Sequence, residues 1–173
     1  IHHKNICAGD RIIISGKIAT HGVTIMSLRK GLEFDTALKS DTTALVHTVN
    51  KLIEIFGKDI KFMRDPTRGG LASVLNEIAG LTQLGFQLNQ DAIQLDPQVE
   101  AACEMLGLDP LYIANEGIFV SIVKKEIAPD YLSELKNDEN GKQAFIIGEV
   151  TADNPGKVIM KSSIGGKRVV NFL

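Results

Sequence analysis

Arg64-Asp65-Pro66-Thr67-Arg68-Gly69-Gly70 gathers two guanidinium groups, a hydroxyl and a glycine pair into one short run. These residue types suit anion chemistry. Arg64 and Arg68 can fork onto phosphate or carboxylate oxygens, Thr67 can donate a hydroxyl or cap a helix, and Gly69 and Gly70 let a bulky anion approach the backbone. Asp65 adds the one carboxylate of the run. Upstream, Ile60, Phe62 and Met63 read as the end of a short buried strand, which Pro66 stops from continuing. Downstream, Leu71, Val74, Leu75, Ile78 and Ala79 follow the i, i+3, i+4, i+7, i+8 template of one helical face. The run therefore joins a strand to a helix, where the first N–H groups lack intrahelical acceptors and the helix dipole favours negative charge. A second use of the same residues stays open: Arg64 paired with Asp65, Thr67 only capping, and the glycines only permitting close packing. The spacing is not that of a P-loop.

Asn115-Glu116-Gly117 precedes the apolar run Ile118 to Val123. A carboxylate at a loop-to-strand edge beside a glycine can exchange protons with a bound substrate; the alternative is a solvated acid. His21 precedes Gly22 at the start of a helix, where a neutral imidazole can meet a ligand or simply hydrogen bond the helix end. Asn76 and Glu77 stand off the apolar stripe of the central helix, with Asn76 able to reach back to the cleft and Glu77 solvated. His47 reads as a surface residue. Cys103 shares a helical face with Val99, Ala102 and Leu106 and reads as core, while Cys7 is at most a free thiol. No ligand spacing for a metal is present: His2-His3 has no partners, and neither cysteine has a C-x-x-C companion.

The elements that must position these groups alternate. Strands are predicted at Arg11 to Ser15, up to Met63, at Phe86 to Leu88, Gly117 to Val123, Ala144 to Val150, Lys157 to Lys161 and Arg168 to Phe172. Helices are predicted from Gly22 to Lys30, closed by Gly31; after a cap at Asp41, with the face Leu45, Val49, Leu52, Ile53 and Phe56; from Gly69; after Asp96, with Pro97 first and Gly107 beyond the end; and from Pro129 to Lys136. Turns at Asn154-Pro155-Gly156 and Gly165-Gly166 separate the last three strands into a closing meander. The fold class is α/β (α+β): a layered domain with a mixed sheet packed by helices.

At 173 residues, 44% apolar and 23% charged, the chain suits one domain with a sizeable core. A formal charge of -2 and the absence of Trp give no electrostatic or stacking reason to expect nucleic acid. No apolar run approaches a membrane span, so neither nucleic acid nor membrane is expected as a partner.

The string M-R-D-P-T-R-G-G-L-A-S-V-L-N-E-I-A at Met63 to Ala79 resembles the HypE family of hydrogenase maturation factors, carbamoyl dehydratases of the aminoimidazole-ribonucleotide-synthetase and selenophosphate-synthetase superfamily. Four further blocks match in family order: G-D-R-I-I-I-S-G at Gly9 to Gly16, H-G-V-T-I at His21 to Ile25, L-G-L-D-P-L-Y-I-A-N-E-G at Leu106 to Gly117, and I-I-G-E-V at Ile146 to Val150. The resemblance implies the superfamily's second, layered domain, with residues 1–173 as a single carboxy-terminal domain. It implies that an amino-terminal ATP-binding and dimerisation domain and a terminal cysteine tail lie outside this chain, which opens at Ile1 without an initiator methionine.

The implied reaction is ATP-dependent dehydration of a protein S-carboxamide to a thiocyanate, the source of cyanide for the nickel-iron hydrogenase centre. On that implication Arg64, Asp65, Thr67, Arg68, Gly69, Gly70, Asn76 and Asn115 bind phosphate or substrate. Glu116 is the catalytic base, with His21 assisting. ATP and Mg2+ are the implied cofactors, mainly through the absent domain. The carbamoyltransferase HypF and the HypC-HypD complex are the implied partners, with a homodimer at full length and a cytoplasmic location. Another superfamily synthetase, for aminoimidazole ribonucleotide or selenophosphate, and a non-catalytic docking module for maturation partners are the alternatives.

Overall fold

Ile12, Ile13 and Ile14 are all fully buried. Successive strand residues point to opposite faces, so such a run needs cover on both sides. In the computed structural model, which describes residues 1–30 and 43–172, both covers are present. Among the described residues the strands are β1 (Arg11–Ile14), β2 (Ile60–Arg64), β3 (Gly85–Asn89), β4 (Val120–Val123), β5 (Phe145–Thr151), β6 (Val158–Lys161) and β7 (Lys167–Val170). The helices are α1 (Thr20–Lys30), α2 (Val46–Phe56), α3 (Gly70–Thr82), α4 (Pro97–Leu106) and α5 (Ala128–Lys136). The strands form one sheet in the order β2-β4-β1-β5-β3-β6-β7. Only β3 and β6 pair in parallel.

Ile12 and Ile14 join Val120 and Ile122 of β4 in a core completed by α1, α3 and α4, while Ile13 and Val123 face a second core under α2 and α5. The mixed, helix-covered sheet expected from the sequence is thus what forms. Leu71, Val74, Leu75, Ile78 and Ala79 of α3 are all buried, as their spacing predicts. Truncating one of them, Leu75→Ala, should cost about 2–5 kcal/mol. In the second core the Tyr131 hydroxyl of α5 meets Ser121 Oγ of β4 at 2.7 Å, so this buried polar pair is mutually satisfied. Among the described residues no helix is long and apolar enough to cross a membrane.

Several expectations are corrected. The last three strands are not a meander, because β3 is inserted between β5 and β6. The connection from β5 to β6 passes over the start of β3, where Gly156 N donates to Leu84 O and a Cβ on Gly85 would lie 1.8 Å from Asp153 O. Only glycine fits under that crossing. Strand β4 starts at Val120 rather than Gly117, and α2 starts at Val46 behind Leu45, too late to be capped by Asp41. Asp41 and Gly31 themselves lie outside the described residues. Asp96 flanks α4 without a side-chain cap bond; its carboxylate instead stands 3.5 Å from Lys17 Nζ.

The register brings one end of the sheet together. Both β1 and β2 run antiparallel to β4, and Ile14 and Arg64, their last residues, each face Val120, its first. The segments after β1, after β2 and before β4 therefore share one edge.

Candidate active site

These three segments are the entry to α1, the turn from Asp65 to Gly70, and the loop from Leu111 to Gly117. Each is locked to the next by main-chain contacts. Gly22 N in the first turn of α1 donates to Ala114 O at 3.1 Å. On the other side Gly70 opens α3 with φ +63 and is buried against the same loop, where a Cβ would lie 2.4 Å from Leu111 O and 2.6 Å from Ile113 O. Its lack of a side chain therefore serves packing, and its N–H is spent on Thr67 O at 3.0 Å. Gly69, at φ +72, is the residue before the helix and provides no side-chain cap; Thr67 does not cap α3 either.

Asn115 joins all three. It is fully buried, with Oδ1 accepting from Ala19 N at 2.7 Å and Nδ2 donating to Pro66 O at 3.0 Å and Ile113 O at 2.9 Å. Its own N–H also donates to Pro66 O, at 3.2 Å. With no exposure and both amide hydrogens used, Asn115 shapes the site from behind and does not meet a ligand. The expectation of direct binding is corrected by its burial. Because Asn115 is bonded to Pro66, the next residues on each strand of this contact, Glu116 and Thr67, flank the same spot.

The expected anion residues divide by whether the fold already uses them. Arg64 is used: Nη1 lies 2.6 Å from Glu77 Oε2, so neither the pairing with Asp65 nor a solvated Glu77 is what forms. Asn76 is also used, its amide donating to Ala72 O at 2.9 Å and to Val170 O at 3.0 Å, which ties α3 to β7 rather than to the cleft. By contrast the side chains of Asp65, Thr67, Arg68 and Glu116 make no hydrogen bond or ion pair among the described residues. Arg68 and Asp65 are exposed, and Thr67 and Glu116 are half-buried. Beyond Gly70 the first-turn amides of α3 have no intrahelical acceptor. The turn can thus offer an unpaired cation, a hydroxyl and helix-end N–H groups, beside the carboxylates of Asp65 and Glu116.

His21, half-buried in the first turn of α1, lines a mainly apolar cleft of about 530 Å³ with Ile25, Met26, Leu108, Tyr112 and Ile113. Gly117, next to Glu116, lines a different, polar cleft of about 450 Å³ with Ser15, Lys17, Thr20, Asp96 and Lys142. His21 and Gly117 thus line different clefts, and Glu116 itself lines neither. Among the described residues no group of three or more His, Cys, Asp or Glu side chains is arranged to hold a metal ion.

Sequence reasoning missed two features. Ala19 is fully buried with φ 69, a left-handed conformation that a non-glycine residue adopts at a cost of roughly 1–2 kcal/mol. Alanine carries no signal for that backbone. The second is the anchoring of residues 109–112, which lead into the loop, by β7 and the residue after it: Arg168 pairs with Asp109 at 2.7 Å and the Tyr112 hydroxyl donates to Asn171 O at 3.0 Å. Nothing in the spacing of these residues links them.

Comparison with known proteins converges on one family. Residues 8–161 match the model of the AIR synthase related protein, C-terminal domain. The carbamoyl dehydratase HypE of Bradyrhizobium diazoefficiens is 48% identical over 165 residues, covering 95% of this chain and 48% of that protein. The chain spans about half the length of the relatives it matches. Two solved structures superpose with a TM-score of 0.93. One is the hydrogenase maturation protein HypE in complex with ATP, 41% identical, with 99% of this chain and 52% of that one covered. The other is a HypE-HypF complex, 39% identical, with 99% and 55% covered.

Proposed function

Since the chain belongs to the HypE family of AIR synthase related proteins, we propose that it is the carboxy-terminal domain of an ATP-dependent carbamoyl dehydratase that converts a protein S-carboxamide to a thiocyanate. The thiocyanate serves the cyanide ligands of a nickel-iron hydrogenase. The observation that supports the reading is the bond from Asn115 N to Pro66 O, which joins the segment that carries Glu116 to the turn that carries Thr67 and Arg68. In this reading an amino-terminal domain outside the chain binds most of the nucleotide, supplies the Mg2+ ligands and dimerises, and a terminal cysteine carries the carboxamide. HypF supplies the carbamoyl group and the HypC-HypD complex accepts the product, in the cytoplasm; the HypE-HypF complex among the solved relatives supports the first of these partners.

The residues of this chain fit the phosphate end of the reaction. ATP, when bound, supplies the phosphoryl group that makes the carboxamide oxygen a leaving group. Arg68, the Thr67 hydroxyl and the first-turn amides of α3 stabilise the charge on that group as it is transferred. Phosphoryl transfer releases ADP and one of the two nitrogen protons goes to solvent; Glu116 then takes the second proton from nitrogen while the C–O bond breaks, so that the C–N bond becomes triple and inorganic phosphate departs. Arg64, already paired with Glu77, holds the turn against α3. His21 contributes to the neighbouring cleft and has no assigned proton transfer.

The test is Glu116→Gln in the full-length protein, which keeps shape and removes the base. Mass spectrometry of the carbamoylated terminal peptide with ATP should show loss of water slowed by about a hundredfold or more, with ATP binding retained. Thiocyanate formation at the parental rate would remove Glu116 from the reaction. The isolated 173-residue chain should not bind Mg-ATP tightly in calorimetry; low-micromolar binding would mean that the nucleotide site lies in this half.

A further inference from the structure

We propose that Asn115 is a positioning residue that sets the Glu116 carboxylate for proton transfer, held in turn by its bond to the left-handed backbone at Ala19. The inference rests on the reading of Glu116 as the base.

The geometry leaves Asn115 little other work. An asparagine amide offers two N–H hydrogens, and here they go to Pro66 O at 3.0 Å and Ile113 O at 2.9 Å, while its oxygen accepts from Ala19 N at 2.7 Å. One buried side chain thereby fixes the carbonyl of the anion turn, the loop before Glu116 and the residue that leads into α1. Unsatisfied main-chain groups at a buried junction are costly, so these three bonds add to the main-chain contacts that already join the segments and fix the loop before Glu116 more closely.

Ala19 supplies the second observation through its backbone. It is fully buried at φ 69 although it carries a Cβ. Residues held in that region persist where surrounding contacts over-determine them, and they gather at sites that need fixed geometry. The Ala19 N–H donates to Asn115 Oδ1, and its carbonyl accepts from Val23 N in the first turn of α1. The left-handed residue is thus bonded directly to Asn115, the chain neighbour of Glu116, and does not sit at a remote turn.

Positioning differs from simple structural support in a way that kinetics can read. A small displacement of a proton acceptor lowers the chemical rate and leaves remote ligand binding alone. In the full-length protein, Asn115→Ala should slow thiocyanate formation by about 10- to 100-fold, with the KM for Mg-ATP unchanged within about threefold. The deciding experiment is a double-mutant cycle with Glu116→Gln, followed by mass spectrometry of the terminal peptide. Acting through Glu116, the Asn115→Ala change should cost less than about threefold once the base is already removed.

If Asn115→Ala costs the same factor in both backgrounds, Asn115 does not act through Glu116 and the positioning role is overturned, while Glu116 keeps its place. If Glu116→Gln alone is fully active, the assignment of the base fails, and the positioning role falls with it; the single variant distinguishes that case from the first. Should Asn115→Ala not fold, judged by circular dichroism and thermal unfolding, Asn115→Asp replaces it in the cycle. That variant keeps the acceptor for Ala19 and loses the side-chain donors to both Pro66 O and Ile113 O, and the same two patterns decide.

Discussion

Arg64 Nη1 lies 2.6 Å from Glu77 Oε2, tying the last residue of β2 to the outer side of α3 across the turn that it helps to form. The two side chains are 43% and 45% exposed, so the pair contributes no more than about 1 kcal/mol to stability. Arg68, three residues into the turn from Asp65, has no such partner among the described residues.

The two arginines should therefore separate in experiment. Arg64→Ala should lower stability by less than about 1 kcal/mol in denaturant titrations. Arg68→Ala should leave stability within about 0.5 kcal/mol of the parent. In the full-length protein it should also weaken kcat/KM by about 2 kcal/mol or more, as expected for a lost charge-assisted contact to a transferring phosphate. The reverse pattern would make Arg64 the phosphate ligand.

Two glycines of α3 should answer alanine substitution with opposite signs. At Gly70 the added Cβ meets Leu111 O and Ile113 O and the backbone is at φ +63, so Gly70→Ala should destabilise by about 1–3 kcal/mol or more and disturb the Glu116 loop. At Gly80 a Cβ meets nothing within 4 Å inside a regular helix, and Gly80→Ala should stabilise by roughly 0.5–1 kcal/mol. Thermal unfolding of the two variants checks both.

Tyr131 makes the alkaline limit of stability partly readable. Burial pushes its phenol well above the ordinary value, and the bond with Ser121 opposes this only in part. A raised folded value means that the stability it contributes is complete below the unfolded value of about 10 and is lost as pH climbs beyond it. Tyr131→Phe should accordingly flatten the fall in stability above about pH 10. At neutral pH it should cost about 1 kcal/mol through the Ser121 hydroxyl it leaves alone. Denaturant midpoints at neutral pH and above about pH 10 measure the difference.

The two cysteines should react in sequence. Cys7 is exposed and Cys103 is buried, with desolvation, and after it the charges of Asp109 and Glu100, raising the Cys103 thiol above its usual range. A thiol reagent should modify Cys7 in the native chain and reach Cys103 only in denaturant. Rapid modification of Cys103 in the folded protein would contradict its place on the buried face of α4.

What the sequence made legible was local. The α3 stripe could be read because its buried residues share one helical face, and the Asp65 to Gly70 turn because its residue types are unusual at a helix start. The parts that escaped depend on distance along the chain. Asn115 meets Ala19 and Pro66 across 96 and 49 residues, and no periodicity connects positions so far apart. Alternation could identify β3 as a strand but not its neighbours. Likewise Arg64 had two acids in reach of reasoning, and the nearer in sequence was not the one that the helix turned towards it.

The strand order has a consequence for how the molecule comes into being. Of all neighbouring strands, only β6 and β7 follow one another along the chain; β1 must wait for β4 and β5, with Arg11 paired to Glu149 at a separation of 138 residues. During synthesis the Ile12-Ile13-Ile14 segment therefore leaves the ribosome long before either of its partners exists. Sheets closed by such remote pairings assemble slowly, and their apolar strands stay available to wrong partners in the interval. For this chain the hazardous period ends only when β5 emerges, because β5 is the strand that joins the β2-β4-β1 half of the sheet to the β3-β6-β7 half.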